Sequence, residues 1–401
     1  MIRASWLAVM ALVLSSGVSG AFYKSESDDG NVEGRILFHQ SVFISSNPGL
    51  PFIYPHSTDN GTDISARLML EGTYREFLKL DFHAEQRLVS TTVPQTAGAA
   101  SYGVMRSPAL YLTERNDGGS RAFLDVDRIN LRATAGPVDV IAGRQPISMA
   151  TCYYFTPNDF FAPFAASTFY RLYKPGVDAV RVEARLGDLT QFTAASALGY
   201  EKKPADPSGY GDGVDWGESS YVARLTTSAA GLEIGALAGR AHGDVVTGGS
   251  FQGEIGKLGI RGEGHYVHPE DGAPGAAKIA VQLERKYENS LTLRAEYYHN
   301  GAGATAAEDY QAGQYYPARD YAAIGAGYEF TPLLTGEMVT VINLDDGSYA
   351  PYLYFLYSLA DEMEMALGFS SPRGDPPSVT GAQSQYGGAP STFTVEIRAY
   401  F

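Results

Sequence analysis

The chain has 401 residues and a single cysteine, Cys152, which excludes an intrachain disulfide framework and a cysteine-built metal cage. One cysteine also leaves no Cys-x-x-Cys-His, so c-type haem cannot be attached to this chain. Positive charge is scarce: 30 Lys and Arg stand against 45 Asp and Glu, a formal net charge of −15. That balance excludes nucleic acid as a partner, because a phosphate backbone requires a basic footprint. Past the first twenty residues no apolar run approaches the ~20 residues a spanning helix needs, which excludes a helical membrane protein. Beyond those residues there is also no Gly-x-Ser-x-Gly elbow and no His-Glu-x-x-His, so nothing points to an enzyme or to a resident cofactor. Charged residues make up only 19% of the chain, while Gly (45) and Tyr (27) are abundant and 44% is hydrophobic. A disordered chain is thereby excluded, and an all-β chain is the class that remains.

Residues 1–20 read as an address. Arg3 is followed by an apolar run from Trp6 to Leu14 and then by the small residues Ser15 to Ala21. This is the three-part layout of a secretory signal peptide, too short and wrongly flanked for a transmembrane helix. Cleavage after Gly20 and after Ala21 both fit. The mature chain, 21–401, is therefore expected beyond the inner membrane.

That mature chain has a period of two. In Asp63–Tyr74, Ile64, Ala66, Leu68 and Leu70 share one parity, while Ser65, Arg67 and Glu71 share the other. Successive strand side chains point to opposite faces, so such a segment is a strand with one apolar and one polar face. Leu78, Leu80, Phe82 and Ala84 against Lys79, Asp81, His83 and Glu85 repeat the pattern. So do the segments around 180–186, 221–226, 258–265, 277–284 and 291–297. The last is the cleanest, with Phe393, Val395, Ile397, Ala399 and Phe401 against Thr392, Thr394, Glu396, Arg398 and Tyr400.

A soluble sandwich also alternates; the connections separate the two. Short turns are expected at Arg75-Glu76, Gly136-Pro137, Gly187-Asp188, Ala230-Gly231, Gly256-Lys257, Glu288-Asn289, around 331–335 and at Ala360-Asp361. Between them fall long segments rich in Gly, Pro, Asp, Asn and Ser: 44–61, 89–120, 148–175, 201–217, 300–319 and 370–391. Shorter connections at 244–249, 268–274 and 345–348 fall in the same phase. Strict short/long alternation describes an up-and-down antiparallel meander, and strands of ~10 residues with short turns at one end describe a transmembrane β-barrel. About eighteen strands are expected, or sixteen if Ser250–Ile255 and Glu362–Phe369 are not strands. The apolar parity then faces lipid and the polar parity a wet lumen. Aromatics near strand ends, such as Tyr74, Tyr297, Phe330, Tyr349 and Phe369, suit the headgroup level.

The lumen parity supplies the candidate pore lining. Its cations are Arg67, Lys79, Arg87, Arg132, Arg181, Arg185, Arg224, Arg261 and Arg294; its acids include Asp81, Glu85, Glu183, Glu263 and Glu296. Charges of both signs on a pore wall create a field that orients polar solutes and sets ion preference. The plainer reading is a set of cross-strand ion pairs bracing a wet wall. His39, His83 and His265 share this parity without a metal-ligand spacing, and no metal is expected. Connection 148–175 holds Tyr153, Tyr154, Phe155, Phe160, Phe161, Phe164, Phe169 and Tyr170, too apolar a set to stand in water. Folded inward it would form a constriction, with Asp159, Phe160, Phe161 and Arg171 near its narrowest point; packed on the rim it would not. The overall acidity favours cations in an open channel.

The chain ends Thr394-Val395-Glu396-Ile397-Arg398-Ala399-Tyr400-Phe401. A terminal Phe401 on an alternating last strand resembles the assembly signal of bacterial outer-membrane barrels, read from the C-terminus by the insertion machinery. A narrower likeness lies in Asp127-Arg128-Ile129-Asn130-Leu131, then Gly143-Arg144-Gln145-Pro146-Ile147, Pro157-Asn158-Asp159-Phe160-Phe161 and Gly176-Val177-Asp178. It resembles a Gly-Arg-Gln hairpin of porin-like families, including alginate-export-type channels and porin-like barrels of metal-reducing bacteria. The resemblance implies an outer-membrane porin of a Gram-negative bacterium, a water-filled channel for passive diffusion of small hydrophilic solutes or ions. Its implied partners are outer-membrane lipid, the barrel-assembly machinery and further copies of the chain in a homo-oligomer. The rival it implies is a porin-like sheath around multi-haem cytochromes, carrying electrons through the membrane.

Overall fold

The computed structural model describes residues 22–93, 104–169, 171, 173–203, 206, 208–270, 272–311, 314–378 and 381–401. The leader read at 1–20 and Tyr170 lie outside the described residues. Eighteen antiparallel strands form one closed barrel. In chain order they are β1 (Gly30–Ser46), β2 (Thr58–Tyr74), β3 (Leu78–Thr91), β4 (Ser120–Ala135), β5 (Val138–Gln145) and β6 (Val177–Arg185). There follow β7 (Thr190–Ala197), β8 (Ser220–Ala229), β9 (Leu232–Ala241), β10 (Asp244–Ile255), β11 (Leu258–His268) and β12 (Ala276–Lys286). The ring ends with β13 (Thr292–Asn300), β14 (Asp320–Thr331), β15 (Leu334–Asn343), β16 (Tyr349–Ala360), β17 (Met363–Ser370) and β18 (Ser391–Tyr400).

Each strand pairs with the next, and β18 returns to β1 from Leu37↔Tyr400 to Ser46↔Ser391. Phe401 finishes the seam, its N–H donating to the Ile36 carbonyl at 2.8 Å and its carbonyl accepting from Ile36 N at 2.7 Å. Two short strands lie beside overhangs of the ring: Tyr23–Ser27 along the start of β1, and Tyr111–Asp117 along the start of β4. A small hairpin, Tyr200–Lys202 with Tyr210–Val214, stands in the connection between β7 and β8. No helix among the described residues is long and apolar enough to cross a membrane.

The expected alternation of turns and long connections is present, with one correction. Residues 244–249 are not a connection: they open β10, and the chain reverses at His242-Gly243, both at positive φ (50° and 94°). The Gly-Gly pair at 248–249 mimics a turn in sequence, yet here it lies in a ladder between β9 and β11. The weak segments at 250–255 and 363–370 are both strands, so the count is eighteen rather than sixteen.

Burial is inverted relative to a soluble core. On β12, Gln282 is fully buried, whereas its neighbours Val281 and Leu283 are 42% and 45% exposed. Ile44, Leu80, Val180, Ile234, Ile324 and Phe393 are likewise exposed on the apolar parity. A β-bulge at Asp127 shifts the β3–β4 register between His83↔Arg128 and Ala84↔Val126. Asp125, Asp127 and Arg128 are therefore all brought to the inner side.

Gly143-Arg144-Gln145, the end of β5, is where the wall hands over to the inner connection. Arg144, 1% exposed, donates through Nε to Asp178 at 2.8 Å, through Nη1 to Val126 O at 2.9 Å and through Nη2 to Ser107 O at 2.8 Å. Gln145 Nε2 donates to the carbonyls of Ile141 (3.0 Å) and Ala179 (3.1 Å), tying β5 to β6. Gly143 is required here: φ is +115°, and a Cβ would lie 2.3 Å from Ile129 O. Gly143→Ala should cost about 2–4 kcal/mol, from backbone strain plus overpacking. Gly136→Ala, at φ +58° in open space, should cost only about 1 kcal/mol. Urea unfolding midpoints of the two refolded variants check the difference.

Candidate functional site

The connection between β5 and β6, residues 146–176, crosses the interior. Its Tyr173 ring sits 4.9 Å from the Arg67 guanidinium of β2, and its Phe169 ring stacks on Tyr354 of β16 at 5.0 Å. Lys174 O accepts from Arg128 of β4 at 3.3 Å, while backbone amides of the same connection reach Glu263 of β11. β2 and β11 stand half the ring apart, so only a chord through the barrel meets both.

The chord is held by wall carboxylates. Glu263 accepts from the backbone N–H of Cys152 and Asn158, each at 3.0 Å, and from that of Thr151. Glu296 accepts from Tyr154 N (2.9 Å) and Phe155 N (2.6 Å), and Gln282 Oε1 from Tyr153 N at 2.8 Å. A backbone run with no strand beside it must find other acceptors when buried, and an ionised carboxylate is a strong one. Arg224 of β8 donates to Met149 O (3.3 Å) and to Thr151 Oγ1 (3.2 Å).

Two apolar clusters complete the fit. Ile147, Met149 and Phe161 pack with Val222, Leu237 and Val246, inner-face residues of β8 to β10. Tyr154 and Phe155 pack with Tyr298, Tyr321, Val339 and Val341 of β13 to β15, and Phe155 stacks on Tyr298 at 5.2 Å. Cys152 is buried in this second cluster, and burial, with Glu296 and Glu263 adding to it, pushes its thiol up. A protonated, enclosed thiol is a packing group rather than a nucleophile.

The side chains singled out on this connection are largely engaged within it. Asp159 is buried, ion-paired to Lys174 and hydrogen-bonded by Ser148 at 3.3 Å. Arg171 donates to the carbonyls of Thr168 (2.6 Å), Tyr153, Ala165 (3.4 Å) and Ala166 (3.3 Å). Its guanidinium lies 4.4 Å from the Tyr153 ring centroid, and that of Arg294 lies 4.1 Å from the same centroid. Phe160 lies 4.9 Å from the His265 ring; Phe161 is buried in the first cluster.

On the wall, most charges stand in ion pairs, some across strands and some within one. Arg67 bridges Asp127 (2.6 Å) and Glu85 (3.1 Å); Lys79 bridges Glu71 (2.8 Å) and Asp81 (3.2 Å). Arg294 pairs with Glu284 and with Glu337 at 3.3 Å, and Arg181 with Glu183 at 3.3 Å. Arg132 lies 3.9 Å from Asp139, and Arg185 donates to Gly136 O at 3.1 Å near the turn end. Arg261 makes no hydrogen bond or ion pair among the described residues, while Glu263 and Glu296 lie beneath the chord rather than facing open lumen.

The bulged Asp127 and the pairing of Arg144 with Asp178 were not foreseen, since a strict period of two assigns Asp127 to the lipid side. His39 faces Glu396 at 3.6 Å, His83 meets the Tyr173 ring edge and His265 meets Asn158 Oδ1 at 3.1 Å. The three histidines are thus dispersed, and no group of three metal-ligating side chains occurs among the described residues.

No protein-family model matches the chain, and no curated protein matches its sequence. Solved structures are similar in fold. OccAB4 of Acinetobacter baumannii superposes with a TM-score of 0.58 at 8% identity, over 93% of this chain and 99% of that one. OccAB3 of the same organism gives 0.57 at 12%, over 92% and 99%. Pseudomonas aeruginosa OccK9 (OpdG) gives 0.57 at 9%, over 92% and 98%. At such identity the likeness is one of architecture.

Deleting Asn158–Ala166 removes the Glu263 contact of Asn158, the Phe161 packing and the Asp159–Lys174 pair together. Single-channel conductance of the refolded variant should exceed that of the parent chain. Equal conductance would mean that the chord does not limit the passage.

Proposed function

We propose that this chain is an outer-membrane porin of a Gram-negative bacterium: a water-filled barrel through which small hydrophilic solutes or ions diffuse passively. The observation that carries this reading is the inverted burial of a closed ring, apolar outside and charged inside, which suits lipid around it and water within it. In this reading the chord sets the size limit, and the paired charges of the wall, Arg67 and Lys79 among them, set the field that solutes traverse. The chain is exported through the periplasm and inserted by the barrel-assembly machinery, with Phe401 at the seam as the residue the machinery reads.

The sheath alternative fits less well. A barrel enclosing a multi-haem cytochrome must keep its lumen clear for a protein, whereas this interior is crossed by a connection with its own apolar packing on β8 to β15.

Planar-bilayer recording of the refolded mature chain under a salt gradient tests the proposal. Steady channels are expected, with a reversal potential on the cation side. The preference should be strongest in dilute salt, because the excess acid sits partly in outer connections (Asp206, Asp212, Asp215, Glu218) and salt screens it. Silence from a correctly folded barrel would sink the porin reading. Val281→Arg places a charge on the outer face of β12 and should cost about 2–4 kcal/mol of folding into a bilayer. Unchanged folding free energy in lipid vesicles would show that lipid does not cover that face.

A further inference from the structure

The two carboxylates that hold the chord have no cation bonded to them. Glu263 and Glu296 are 4% and 3% exposed, and neither forms an ion pair among the described residues. Other acids of the inner wall are paired: Glu85 with Arg67, Glu284 with Arg294, Glu396 with Arg398. What Glu263 and Glu296 have instead is five backbone N–H groups of the chord, from Thr151, Cys152, Asn158, Tyr154 and Phe155.

A carboxylate in that position is subject to two opposed effects. Burial favours the neutral form of a carboxyl, and N–H donors favour the ionised form. The grip itself depends on which form is present, since a hydrogen bond to an ionised acceptor is roughly twice as strong as a neutral one. A pH change therefore alters the hold on the chord directly, without any second site.

The surroundings leave the two carboxyls to act together. Glu263 faces Arg224 of β8, whose guanidinium is taken up by Met149 O, Thr151 Oγ1 and Ser250 Oγ, and Cys152 of the chord. On its own strand it is flanked by Arg261 and His265, and Lys278 of β12 stands opposite His265. Glu296 has Arg294 on its own strand, committed to Glu284 and Glu337, and faces Glu263, Tyr154 and Cys152. Between the two, Gln282 holds Tyr153 N with an uncharged amide that does not titrate.

We propose that Glu263 and Glu296 are a proton-operated latch on the chord. Ionised, they grip the amides of 151–158; protonated, they loosen them, and the passage beside the chord changes its conductance in acid. This inference rests on the channel reading for its consequence, but the latch can be observed without any current.

The test is amide hydrogen exchange of the folded chain in detergent at about pH 7.5 and about pH 3.5, a span that brackets carboxyl titration, with rates corrected for intrinsic chemistry. In the parent chain, peptides covering 148–160 should exchange about fivefold faster in acid, while wall peptides of β12 and β13 hold their protection. Glu263→Gln/Glu296→Gln should show the faster rate already at the higher pH and no further change in acid. Equal protection of 148–160 at both pH values in the parent chain overturns the latch, whether or not the double variant folds. A current that responds to acid equally in parent and double variant also overturns it. Exchange behaving as expected in a chain that passes no current would instead strike at the channel reading and leave the latch standing.

Discussion

A sheet that crosses a bilayer has no place for an unpaired backbone group, and this constraint governs the ring from its seam outward. In lipid each orphaned N–H or C=O costs several kcal/mol, so strands cross only when the sheet closes on itself. β18 meets β1 over ten register pairs, and the backbone of Phe401 bonds Ile36 in both directions. Where strands overrun their neighbours, the chain supplies short strands to cover the exposed edge. Tyr23–Ser27 lies along the part of β1 that projects past β18, and Tyr111–Asp117 along the part of β4 that projects past β5. Uncovered edges of that kind would pair with other chains.

The same requirement operates inside. A chord through the interior carries amides and carbonyls away from bulk water with no strand to meet them. The wall answers the amides with Glu263, Gln282 and Glu296, on three neighbouring strands, and side chains of the chord and wall answer the carbonyls with Arg171, Arg224 and Lys174. The chord is in effect a strand whose partners are side chains. Aromatic packing against β8 to β15 supplies contact area, and the polar set supplies its register.

Much of this fold was legible because a period of two and a strict alternation of connections are global signals. A strand as weak as Met363–Ser370 is recovered by phase alone, since omitting it would put Phe401 at the wrong end of the barrel. Residues 244–249 were misread because Gly248-Gly249 has turn composition, and composition does not distinguish a turn from a ladder position where small residues let strands approach. Parity assigns Glu263 and Glu296 to the inner face correctly but says nothing about what covers them. That depends on a contact more than a hundred residues distant in sequence, as with Asn158 to Glu263. The bulge at Asp127 escapes parity altogether, because one inserted residue reverses which parity faces inward, odd at Asp125 before it and even at Arg128, Asn130 and Arg132 after it.

The net charge of the chain and the field in its interior are separate quantities. Most inner-wall acids between the two strand ends sit against a cation or a row of amides, and a close ion pair contributes only a dipole at the distance of a passing solute. The residual field on the wall comes from groups without a counter-charge. Arg261 and Lys278 have no bonded partner among the described residues. The acid excess that makes the chain −15 lies partly in outer connections, and at ~0.1 M salt a charge there is screened within about 10 Å. In the proposed channel an ion therefore meets acid at the mouth and base along the wall. The balance between the two shifts with ionic strength, because salt screens charge at the open mouth more fully than charge on a wall backed by low-dielectric protein.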